Sequence, residues 1–91
     1  MKMQFDMEVS GRVQHVGFRH YAWARARELE LTGYVRNQSD GSLHVVAEGE
    51  LAALETLVDY LKTGPSMARV SSVTVSRSTY TASYQGFSVR Y

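Results

Sequence analysis

The chain has 91 residues, a formal net charge of +1, a hydrophobic share of 44% and no cysteine. That length allows one core and leaves no room for a separate cofactor domain, so residues 1–91 are expected to form a single domain. The lack of cysteine excludes disulfides, thiolate metal sites and cysteine nucleophiles, and so small a net charge does not imply a broad nucleic-acid or membrane surface while permitting one local cationic pocket.

From Phe5 to Val13, the apolar residues Phe5, Met7, Val9 and Val13 alternate with Asp6, Glu8, Ser10 and Arg12. This is the period of a half-buried strand. The preceding Met1 to Asp6 carries no signal-peptide apolar run, and no stretch approaches a membrane span, which makes the cytoplasm the expected setting. An Ala-rich helix is expected from about Phe18 to Leu31, with Gly33 placed where a helix C-cap often falls. Tyr34 to Asn37 and Leu43 to Ala47 flank Gln38-Ser39-Asp40-Gly41-Ser42, and Asp-Gly between strand-like runs signals a hairpin.

Leu51, Leu54, Leu57, Val58 and Leu61 form a helical stripe over Glu50 to Lys62, which Gly64-Pro65 ends. Val70, Val73 and Val75 mark a fourth strand whose change of phase after Val70 suggests a bulge or an early boundary. A polar loop from Thr79 to Gly86 precedes a short last strand, Phe87 to Tyr91. The order matches an α+β, ferredoxin-like βαββαβ sandwich: an antiparallel sheet, two helices on one face and a short extra C-terminal strand.

The join between the first strand and first helix breaks a charge rule. A helix start exposes uncapped N–H groups and partial positive charge, which favour acids. Here Arg19 and His20 stand at the start, Arg25 and Arg27 follow, and the acids Glu28 and Glu30 come last. Glu48, Glu50 and Lys62 give the second helix the ordinary distribution. A short strand-to-helix loop can turn successive N–H groups into an anion nest, and a guanidinium adds forked donors suited to phosphate.

In a split βαβ unit the first two strands run parallel, so their C-terminal ends share one sheet edge. Gln14 to Arg19 leave the first strand there and Asn37 ends the second, on the same face as Val35. Arg19 and Asn37 are therefore expected neighbours. Asparagine at that position reads equally as an ordinary strand end or as a group that orients water, since its amide both donates and accepts.

Other polar residues read more simply. His15, His20 and His44 lack metal-ligand spacing and are assigned to the surface or loops. Ser71, Ser72 and Ser76 have no evident base partner. Asp6, Glu8 and Glu48 are assigned to the solvated sheet face or a helix entry, with Tyr80 and Tyr84 packing on that face.

The segments G-R-V-Q-H-V-G-F-R at Gly11 to Arg19 and G-Y-V-R-N-Q-S-D-G-S at Gly33 to Ser42 resemble the two signature regions of the acylphosphatase family. Gly64-Pro65, Ala68-Arg69-Val70 and Phe87-Ser88-Val89-Arg90 look like its later segments, so the likeness spans nearly the whole chain. It implies hydrolysis of an acyl phosphate to a carboxylate and inorganic phosphate, with no metal and no cofactor. The family's phosphate loop maps onto Gln14, His15, Val16, Gly17, Phe18 and Arg19, its essential arginine onto Arg19, and its water-orienting asparagine onto Asn37. The implied partners are a small-molecule acyl phosphate and inorganic phosphate, without nucleic acid or membrane, acting on a monomer.

The family pattern usually has glycine where this chain has His15. If that position takes positive φ, a side chain there costs on the order of 1 kcal/mol, whereas a protonated imidazole would add attraction for a dianion. Two alternatives stay open: a phosphate-binding regulatory domain with turnover reduced or lost through His15, and an RNA binder on the sheet face. Asp6 and Glu8 on the solvated face argue against the second.

Overall fold

A computed structural model describes residues 1–91. Its elements are β1 (Lys2–Arg12), α1 (Phe18–Glu28), β2 (Thr32–Asn37), β3 (Leu43–Glu50), α2 (Leu51–Thr63), β4 (Arg69–Thr79) and β5 (Phe87–Arg90). They make one sheet in the order β4-β1-β3-β2-β5, the ferredoxin-like arrangement with one added strand. β1 pairs antiparallel with β3 and β4, and β3 with β2, whereas β5 joins β2 in parallel and makes the sheet mixed. The C-terminal ends of β1, β2 and β5 consequently lie at one edge.

Alternation along β1 buries Phe5, Met7 and Val9, and they meet Val35, Val45 and Ala47 from β2 and β3. The helices cover this face with Phe18, Ala22 and Ala26 from α1 and Leu54, Leu57 and Leu61 from α2. The expected bulge is present: Ser10 pairs with Ser72 and Gly11 with Val70, which leaves Ser71 over.

The sheet is thus mixed where a purely antiparallel one is expected from the sequence, and the end of α1 and the place of Gly33 change as well. α1 ends at Glu28, where Glu30 takes the left-handed position at φ 58° and Leu31 N–H returns to the Ala26 carbonyl at 2.9 Å. Gly33 is therefore not a helix cap. It lies inside β2, paired with Ala47, at φ 139°.

Glu48 is likewise neither solvated nor at a helix entry. It lies within β3 and is 1% exposed. The segment after β4 folds over the outer sheet face: Thr81 donates to Glu48 Oε2 from its N–H at 2.9 Å and its hydroxyl at 2.6 Å, and Gln4 donates at 2.8 Å. Burial opposes ionisation of this carboxyl, but the bonds from Thr81 and Gln4 prevail and hold it below the usual carboxylate value. Tyr84 meets Tyr34 edge-on with ring centroids 5.9 Å apart, packing on the sheet face as expected.

Candidate active site

The shared edge of β1, β2 and β5 holds a cleft of about 250 Å³. Its lining includes His15, Gly17 and Arg19 from the β1–α1 join, Asn37 from the end of β2, and Val89 and Tyr91 from the last strand and its end. Two residues of the join take left-handed backbone, His15 at φ 62° and Gly17 at φ 78°. Gly17 is also the N-cap of α1 and supplies no side-chain cap, so the first turn keeps its N–H groups and positive end unanswered by the chain. No acid stands in that turn. An anion is the ligand such an end attracts.

Arg19 is the second residue of α1 and is partly exposed. Its guanidinium lies 4.4 Å from the Tyr91 ring centroid and donates to the Arg90 carbonyl at 3.5 Å, both weak contacts that a dianion can displace. Asn37 Oδ1 is buried and accepts no hydrogen bond within the protein. An orphaned buried acceptor costs about 1–3 kcal/mol, and Asn37 shares the cleft lining with Arg19, a cation without an acidic partner.

The structure brings His15, Gly17, Phe18, Arg19 and Asn37 together in the cleft lining, but Gln14 and Val16 are outside it. Val16 packs against the core, and Phe18 is buried with only part of its surface reaching the cleft. The Gln14 amide is committed elsewhere, donating to the carbonyls of Gln38 at 2.7 Å and Ser42 at 3.0 Å. Four lining residues were not singled out for the site from the sequence: Val13, His20, Val89 and Tyr91. The signal for the last two is the alternation of Phe87, Val89 and Tyr91, which needs the parallel pairing of β5 with β2 before it points to this edge. No group of three or more His, Asp or Glu side chains converges as a metal site requires.

The left-handed φ at His15 makes a direct prediction. Glycine relieves a side-chain penalty of about 1 kcal/mol, partly offset by the greater freedom it gives the unfolded chain. His15→Gly is expected to bind inorganic phosphate, measured as competitive inhibition, at least as tightly as the parent. Clear weakening would show that the imidazole itself attracts the anion.

A ferredoxin-like sandwich with an uncapped, arginine-bearing helix start and an asparagine at one sheet edge defines a small α+β protein with a cleft suited to an anion. The acylphosphatase family model matches residues 5–89. The acylphosphatase of Salinibacter ruber is 49% identical over 90% of this chain and 86% of its own length, and that of Syntrophotalea carbinolica 42% identical over 98% and 97%. The crystal structure of acylphosphatase from Bacillus subtilis superposes with a TM-score of 0.95 at 35% identity, covering 98% of this chain and 99% of that one. The chain belongs to the acylphosphatase family, hydrolases that cleave acyl phosphates to a carboxylate and inorganic phosphate.

Proposed function

We propose that the cleft carries out this hydrolysis with the Arg19 guanidinium and the backbone N–H groups of the loop Gln14, His15, Val16, Gly17 and Phe18 holding the phosphoryl group, and with Asn37 positioning the attacking water. The observation that carries the reading is that Asn37, whose Oδ1 has no partner within the protein, lines the same cleft as Arg19 at an uncapped helix start. A water that donates one hydrogen to Asn37 Oδ1 keeps a lone pair free to attack phosphorus. The new P–O bond forms as the bond between phosphorus and the acyl oxygen breaks, and the carboxylate leaves with the electron pair.

A carboxylate is a good leaving group, so the reaction asks mainly for alignment and charge compensation. Arg19 and the first-turn N–H groups are suited to the latter, because they meet charge spread over the phosphoryl oxygens. A phosphate oxygen takes the water proton, and no strong protein base is required.

The test is hydrolysis of benzoyl phosphate with a metal chelator present. Asn37→Ala is expected to lower kcat by about tenfold to a hundredfold, the cost of a misplaced reactant, with a much smaller change in phosphate inhibition. Equal losses in both would show that Asn37 only shapes the pocket. Phosphate binding without hydrolysis by the wild type would overturn the reading.

A further inference from the structure

Gln14 immediately precedes the left-handed His15, and its Nε2 donates to two carbonyls of the β2–β3 hairpin, Gln38 at 2.7 Å and Ser42 at 3.0 Å. Gln38 follows Asn37 directly. Gln38 N–H donates to the Ser42 carbonyl at 2.9 Å, so both acceptors sit on one closed turn. That turn is stiff in its own right: Asp40 accepts from the Ser42 N–H at 3.0 Å and its hydroxyl at 2.6 Å, and Gln38 Nε2 donates to Ser42 Oγ at 2.7 Å. The Ser42 hydroxyl and N–H also hold the Asp40 carboxyl below its ordinary value.

We infer that Gln14 is a positioning residue: its amide sets the separation between the loop that holds the phosphoryl group and the strand end that carries Asn37. This rests on the roles proposed above for the loop and Asn37. Attack on phosphorus needs the water and the phosphoryl group in register, and a displacement of about 1 Å can cost on the order of a hundredfold in rate. Without the amide, two partly buried carbonyls lose a donor and the hairpin is free to shift relative to the loop. Phosphate binding rests on the Arg19 side chain, the loop's backbone N–H groups and the helix start, and the Gln14 side-chain amide bonds to none of them. A brace therefore predicts a loss in turnover that a damaged anion site would not produce alone.

The experiment measures kcat for benzoyl phosphate and the inhibition constant of inorganic phosphate in the wild type, Gln14→Leu, Asn37→Ala and the double variant. Gln14→Leu is expected to lower kcat about tenfold or more while phosphate inhibition changes less than about threefold. The double variant should be no slower than Asn37→Ala, because the brace acts through that residue. Multiplied losses, or an equal loss of phosphate affinity, overturn the brace while leaving Asn37's role intact. Full kcat in Asn37→Ala overturns the underlying reading and the brace with it. Gln14→Asn keeps the amide on a shorter stem, covers the case in which the leucine variant does not fold, and is expected to show the same split; unchanged kcat there overturns the inference.

Discussion

Arg19→Ala should lower kcat/KM for an acyl phosphate by at least about a hundredfold, the usual cost of deleting a donor aimed at developing charge. The guanidinium is the charged group at the opening of α1, where the helix end already favours an anion. Its present partners do not compete strongly. A cation over an exposed ring is worth about 0.5–1 kcal/mol, whereas a charge-assisted fork on phosphate is roughly twice as strong as a neutral hydrogen bond. The Arg90 carbonyl contact is long at 3.5 Å and exposed, so its removal should leave the unfolding midpoint nearly unchanged. Arg19→Lys should restore only part of the rate, since an ammonium is a point charge without the planar fork. Steady-state kinetics alongside a denaturant melt separates these effects. Full activity in Arg19→Ala would remove this residue from the mechanism.

Gly33→Ala should destabilise the fold by on the order of 3 kcal/mol, which lowers the midpoint of thermal unfolding by roughly 15 °C for a chain of this size. A Cβ built on Gly33 would lie 1.9 Å from the Val46 carbonyl oxygen and 2.8 Å from its carbon, and both are backbone atoms in the paired strand. Neither can swing aside as a side chain end does. The φ of 139° adds conformational strain for any L residue. Gly33 N–H also donates to the Gly86 carbonyl at 2.9 Å, so displacement there loosens the end of the segment between β4 and β5 as well as the sheet. The check is a thermal and urea melt of the variant. A change below about 1 kcal/mol would show that β2 and β3 can separate at this point without cost.

The mistaken reading of Gly33 has a physical origin. A glycine after an Ala-rich run matches a helix C-cap, but here Glu30 takes the left-handed turn and glycine is needed for a close approach between strands. Glu48 departs from its sequence expectation for a related reason. Its residue type indicates solvent, and the groups that make burial tolerable are Gln4 and Thr81, distant in the chain and brought over it by the outer strap. Gln14 belonged to the recognisable loop, yet its side chain serves the hairpin, and that became visible only when the two carbonyls were in place.

By itself, the sequence determined the strand and helix periods, the sandwich order, the reversed charge at α1 and, through the parallel relation of the first two strands, the meeting of Arg19 with Asn37. These depend on local alternation and on a topology with few solutions. Only the tertiary structure decided that β5 runs parallel to β2 and carries Val89 and Tyr91 to the cleft, that Asn37 Oδ1 is buried without a partner, and that Gln14 ties loop to hairpin. Each of these depends on contacts between residues far apart in the chain, for which no local period or residue preference supplies a signal.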